Sequence, residues 1–151
     1  MHPNIGRTLL GGFAGTLAMT MMMYVAAPMM GLNMDIAAML GGMLGIGWAG
    51  GMLMHFVNGV VIFPATYAFV LYPRLPGGPT LKGTAWGVAL WLIAQVAVMP
   101  MMGGGLFSSA MGGMMAAAGS LVGHAIYGAV LGLVAGHVVP IRAVAPSSSR
   151  T

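Results

Sequence analysis

Four stretches of this chain run for about 20 residues or more almost without charge, the length a helix needs to cross a bilayer core. They are Thr8 to about Met30, Ile46 to Tyr72, Gly83 to Met102, and Gly119 to Val139. Lipid offers backbone groups no hydrogen bonds, so each stretch is expected to be helical and to satisfy its own N–H and C=O groups. The remainder of the chain gives no sign of a soluble domain. Only 4% of residues are charged and Asp35 is the one acid, far short of the roughly 25% that covers a water-exposed surface. Arg7 ahead of the first stretch and Val25-Ala26-Ala27 near its end imitate a secretory signal. The apolar run is too long for one, and Pro28 follows directly, so a retained helix is expected.

The cations set an orientation. Arg7 precedes the first span, Arg74 and Lys82 separate the second from the third, and Arg142 and Arg150 follow the fourth. All five fall on one side, so the positive-inside rule puts both termini in the cytoplasm of a bacterial inner membrane. The formal charge of +4 is thus a topology signal, and no basic stripe interleaved with aromatics points to nucleic acid. Two connections lie on the opposite, outer side, at about 31–45 and 103–118, and both are too apolar for ordinary loops. Asn33, Asp35 and the run Ile36-Ala37-Ala38-Met39-Leu40 read as a short N-capped helix, with Asp35 at the favourable end of its dipole. Leu106 to Ala118 reads as a similar interfacial or re-entrant piece. The tail, 143–151, is polar and expected to be flexible.

An internal repeat organises this pattern. Gly11 and Gly15 recur as Gly83 and Gly87, and Pro28-Met29-Met30-Gly31 recurs at the same offset as Pro100-Met101-Met102-Gly103. His55 and Gly59 recur as His124 and Gly128, at an offset slightly shortened by a deletion in the outer connection. Each half crosses twice, so the halves are parallel, about 7–72 and 79–142, within a single membrane domain of 1–151. The expected fold is all-α: a membrane four-helix bundle built from a parallel two-helix repeat, with short interfacial or re-entrant helices on the outer side. Equivalent residues then share a depth, which makes His55 and His124 a pair.

The segments Met34-Asp35-Ile36-Ala37-Ala38-Met39-Leu40-Gly41, Leu53-Met54-His55-Phe56-Val57-Asn58-Gly59 and Gly119-Ser120-Leu121-Val122-Gly123-His124-Ala125-Ile126-Tyr127-Gly128 resemble an uncharacterised family of small bacterial four-helix membrane proteins. The resemblance covers about Gly6 to Gly136. It implies the four-helix topology and the paired histidines, and no activity. The methionine load here is heavier than that family pattern.

A histidine inside an apolar span is costly to bury and is read first as a functional site. Gly51 and Gly59 flank His55 by one turn on either side, and Ser120 and Gly128 flank His124. Such small neighbours give a flat macrocycle room against the helix, and neutral imidazole is an axial ligand for haem iron. Two imidazoles on facing helices could clamp one haem b, or each could hold a chlorophyll-type ring. Asn58 and Tyr127, three residues beyond the histidines, could orient an imidazole or a ring substituent. The plain alternative is helix packing: glycine stripes for close approach, and interhelical hydrogen bonds from the histidines to Asn58, Tyr127 or Gln95, with no cofactor. His137, close to Pro140 and Arg142, is expected to reach the cytoplasmic boundary, and His2 lies in the exposed start.

Apart from Met1, all the methionines fall within 19–54 or 99–115, the outer half of the protein. Thioethers suit Cu(I), and Met19, Met22, Met23, Met30, Met52 and Met54 with the two histidines form an alternative copper set. Methionine as an adaptable packing residue is the bland counterpart.

No enzyme is expected. The chain has no cysteine, its lone carboxylate has no nucleophile near it, and Gly103-Gly104-Gly105 lacks the lysine of a phosphate-cradling loop. Three functions are therefore carried forward: a tetrapyrrole-binding protein for electron transfer or pigment holding, a Cu(I)-binding or copper-passing protein, and a non-catalytic packing subunit. The expected partners are the bilayer and either further copies of the chain or a larger membrane complex. Breaks at Pro28, Pro64 and Pro100 would expose carbonyls along a transport path.

Overall fold

A computed structural model describes residues 3–32 and 34–136. The readings placed on His2, Asn33, His137, Pro140, Arg142, Arg150 and the 143–151 tail lie outside those residues. The described chain is all-α. Four helices are long and apolar enough to cross a membrane: α1 (Ile5–Met29), α3 (Gly47–Leu71), α4 (Pro79–Met101) and α5 (Gly113–Gly136). A short helix, α2 (Ile36–Leu44), lies between α1 and α3, and a single 3-10 turn, Leu106–Ser108, lies between α4 and α5. This is the profile of a multi-pass membrane protein.

The second outer connection is shorter than expected. The helix-forming run Met114-Met115-Ala116-Ala117-Ala118 belongs to α5, which begins where Gly112 and Gly113 (φ 102° and 60°) end the preceding turn. The prolines also act differently from expectation, widening their helices rather than breaking them. Proline has no N–H, and its ring strikes the carbonyl four residues back. Met22–Ala26, Asn58–Ile62, Tyr67–Leu71 and Ala94–Val98 are π-helical. Each is centred four residues ahead of Pro28, Pro64, Pro73 or Pro100. Shifting the bonds to i→i−5 absorbs the clash and leaves each helix continuous. The segments in α1 and α4 occupy matching positions in the two halves, at the offset that separates the repeated glycines.

Glycine contacts define the order of the helices around the bundle. A Cβ on Gly83 would collide with the Gly128 carbonyl and one on Gly87 with the His124 carbonyl, so α4 and α5 touch backbone to backbone. Gly11 and Gly15 bring α1 against Leu131 and Tyr127 of α5, and Gly12 brings it against Gly59 and Pro64 of α3. The order is α3–α1–α5–α4, leaving the α3–α4 seam to close the ring. Under the repeat correspondence that seam is the counterpart of α1–α5, yet it is held mainly at its basic end. There Tyr67 Oη donates to the Pro79 carbonyl at 3.0 Å, Trp86 Nε1 to Phe63 O at 3.2 Å, and Lys82 Nζ to Tyr72 O at 2.8 Å. The buried core sits at this end too: Tyr67, Trp86, Leu90, Tyr127, Leu131 and Ala135.

At the methionine-rich end the outer connections fold back between the helices. In α2, Asp35 caps the N-terminus by accepting from the Ala38 amide at 2.9 Å, and Gly45 (φ 68°) ends the helix in the left-handed conformation. Gly41 rests on Gly47, and Ala37 rests on Gly51, so α2 and α3 form a tight antiparallel hairpin. The capping carboxylate also accepts from Tyr24 Oη at 2.7 Å and Trp48 Nε1 at 3.0 Å, fastening α1, α2 and α3 at one point. Partial burial alone would raise the Asp35 pKa. The Tyr24, Ala38, Trp48 and Ala37 donors outweigh it and hold the carboxyl below its usual value.

Candidate functional site

All four spanning helices and α2 border a cavity of about 530 Å³. Its floor is the aromatic group of Phe63, Trp86 and Tyr127, whose rings meet edge to face with centroids 6.5 Å apart from Phe63 to each neighbour. Above that floor the walls are mainly apolar, with seven methionines: Met19, Met22, Met23, Met30, Met34, Met39 and Met99. Among the described residues no Asp, Glu, Lys or Arg lines it. Its size lies within the roughly 300–1,000 Å³ typical of ligand pockets, as does its pattern of apolar walls with few convergent polar groups.

Both histidines line this cavity, together with Asn58, Gly59, Ser120 and Tyr127. The pair is not chemically equivalent. At His124, Nδ1 lies 2.8 Å from the Ser120 carbonyl, which can only accept. Nδ1 therefore carries the hydrogen, and Nε2 keeps its lone pair. At His55, Nε2 lies 3.1 Å from Thr20 Oγ1. The Thr20 proton is committed to the Thr16 carbonyl at 2.7 Å, so the imidazole must donate from Nε2, and Nδ1 keeps the lone pair. One histidine thus presents the nitrogen that usually ligates haem iron, while its counterpart has that nitrogen engaged on α1.

The flanking glycines serve helix contact rather than ring clearance. Gly51 is covered by α2, Gly59 by Thr16, and Gly128 by Gly83 and Gly87, so no macrocycle fits against any of them. Ser120 contributes its carbonyl to His124, with its hydroxyl at 3.4 Å from Nδ1. Nor does Tyr127 orient an imidazole. Its hydroxyl donates at 2.8 Å to the carbonyl of Gly59. In the π-helical segment Phe63 N–H bonds to Asn58 O, and the next residue, Pro64, has no N–H for Gly59 O. The proline thus frees the acceptor that the buried phenol takes. Asn58 borders the cavity three residues after His55.

In place of the expected Asn58, Tyr127 or Gln95, the histidines meet Thr20 at His55 and the Ser120 carbonyl at His124. Sequence reading missed that threonine, although Thr16 and Thr20 lie one turn apart on the face of α1 that meets α3. It also missed what Gln95 does. Gln95 is 1% exposed and borders the cavity, and its Oε1 accepts from Ser108 Oγ at 2.9 Å. The buried Nε2 has no partner among the described residues. Of the copper set, Met19, Met22, Met23 and Met30 join the cavity wall, whereas Met52 and Met54 lie outside it. Among the described residues, no three His, Cys, Asp or Glu side chains group into a metal site.

No curated protein and no solved structure matches this chain. A family model matches residues 3–145. The chain belongs to that family, described as a family of unknown function (DUF6789).

Proposed function

We propose that this chain is a tetrapyrrole-binding protein of the bacterial inner membrane, with His124 as the axial ligand, serving electron transfer or pigment holding. The observation that carries the reading is His124 itself. Its Nδ1–H is fixed on a backbone carbonyl and its Nε2 has no partner among the described residues, beside an apolar cavity of about 530 Å³. A hydrogen bond from the second ring nitrogen is how protein ligands hold an imidazole in one tautomer and orientation. Arg7, Arg74 and Lys82 belong to one end of the bundle, which supports a cytoplasmic placement for that end. The test is an absorption spectrum of the detergent-purified chain, oxidised and then dithionite-reduced, with a metal assay on the same sample. A Soret band that sharpens on reduction and disappears in His124→Ala is expected. A colourless wild type, or full pigment in His124→Ala, overturns the reading.

A second reading is favoured by one observation: four methionines of the copper set share the cavity with both histidines. Cu(I) would then be bound by thioethers and imidazole nitrogen. Saturable Cu(I) binding that is lost in a Met19→Leu, Met22→Leu double variant supports it, and binding indifferent to both substitutions rejects it.

A further inference from the structure

We propose that Gln95 is a ligand anchor, donating from Nε2 to a neutral carbonyl oxygen of a membrane-dissolved amphiphile held in the cavity. This rests on the cavity being a binding site and deepens the tetrapyrrole reading by naming a chemical feature of the occupant.

Ser108 Oγ donates to Gln95 Oε1, leaving both Nε2 hydrogens without an acceptor in a residue 1% exposed. A buried donor left unpaired is costly, and native structures rarely keep one without a role. The backbone supports the arrangement at a further cost. Phe107 (φ 49°) and Ser108 (φ 57°) both occupy the left-handed region, which side-chain-bearing residues avoid. That conformation buries Ser108 completely and delivers its hydroxyl to Gln95, while the Phe107 ring packs on Trp91 at 6.0 Å. Two strained residues and one hydroxyl thus hold an amide whose donors are unused within the chain.

The lining defines what those donors would meet. An oxygen acceptor is required, and with no Lys or Arg on the cavity wall among the described residues, a carboxylate would enter without a counter-charge from them. A ketone, quinone or ester carbonyl fits instead. Ile62 and Ile93 both border the cavity and are 47% and 51% exposed along the loosely held α3–α4 seam, so an apolar molecule reaches it from the bilayer. Ring-borne carbonyls of a chlorin, esterified porphyrin side chains and lipid quinones share this chemistry.

The experiment titrates the detergent-purified full chain with haemin, haemin dimethyl ester and decylubiquinone, following absorbance and tryptophan quenching. The expected results are tighter binding of the dimethyl ester than of haemin, and at least tenfold weaker binding of the neutral carbonyl probes in Gln95→Leu. Ser108→Ala, which releases the amide, is expected to weaken them less, and thermal unfolding confirms that both variants fold. His124→Ala separates the two claims, since porphyrin binding depends on that residue and quinone binding does not. A wild type that binds the quinone but no porphyrin defeats the tetrapyrrole reading and leaves the anchor standing on the quinone. Unchanged affinity for every bound probe in Gln95→Leu, or no saturable binding of a carbonyl probe to wild type, overturns the anchor.

Discussion

Gly128→Ala separates the two roles that glycine near a membrane histidine can play. A Cβ at Gly128 would overlap the Gly83 carbonyl and stand 2.9 Å from both the Gly83 carbonyl carbon and the Gly87 nitrogen. These are backbone atoms of α4, so no rotamer change relieves the clash and the two helices must part. Overpacking of this kind costs about 1–3 kcal/mol, partly offset by the roughly 0.5–1 kcal/mol that alanine gains over glycine inside a helix. A chain of this size loses about 2–4 °C of melting temperature per kcal/mol, by the scaling for soluble domains. The expected result is therefore a fall of several degrees for the ligand-free protein in detergent. Gly123→Ala on the same helix is the control. There the nearest atom to a new Cβ is Met19 Cγ at 3.5 Å, an ordinary contact with a flexible side chain, and the melting temperature should hold or rise. Gly128→Ala melting like wild type, or both variants falling together, refutes the backbone seam. A loss of pigment in Gly128→Ala without loss of stability would restore the ring-clearance role.

Three further outcomes are expected. Thr20→Val removes the acceptor of His55 Nε2, so if His124 holds a haem as proposed, the freed imidazole should become available as a second ligand and shift the spectrum toward low spin; an unchanged spectrum of a haem-loaded variant counts against the tautomer assignment. Tyr127→Phe deletes the bond to the Gly59 carbonyl and should cost about 0.6–2 kcal/mol, read as thermal unfolding in detergent; a loss of pigment at unchanged stability would instead give Tyr127 a role at the ligand. Asp35 has a folded pKa below its unfolded value, so its contribution is complete above the unfolded value and disappears as pH falls through the folded one. Acidification should release α2 and alter the fluorescence of Trp48, whereas Asp35→Asn should flatten that acid response; an identical acid response in the variant would show that another group controls the clasp.

Much of the fold was legible because membranes impose strong one-dimensional rules. Span length, the recurrence of glycines and histidines between the halves, and the small-residue faces could all be read without knowing any contact. Asp35 as the cap of α2 was readable too, since a carboxylate one residue ahead of an apolar helical run has few other uses. What could not be read was which partner each small or polar residue meets. Gly51 and Gly59 share a stripe with His55, but the stripe does not reveal that α2 folds back over one and Thr16 fills the space at the other. The π-helical segments explain much of the rest. Each shifts the helix face by part of a turn from Met22, Asn58, Tyr67 or Ala94 onward, so extrapolation at the ordinary helical period misplaces everything beyond it. The carbonyl that Tyr127 uses becomes free only through such a shift.

The two halves share one construction and differ where the cavity lies. Met23 corresponds to Gln95 and Ile36 to Ser108, both at the offset of the repeated glycines. In the first half Met23 Sδ accepts from the Ile36 amide at 3.4 Å, and in the second Gln95 Oε1 accepts from the Ser108 hydroxyl at 2.9 Å. The first spanning helix of each half therefore fastens the connection that follows it with a side chain at the same register. A thioether that accepts one hydrogen bond leaves no donor unmet, whereas an amide doing the same work leaves two N–H groups over. The histidines diverge similarly, one bonded across to Thr20 and the other to the Ser120 carbonyl of its own helix. Gln95, with its buried unpaired amide nitrogen, borders the cavity from α4 and His124 borders it from α5, so the two walls differ in chemistry.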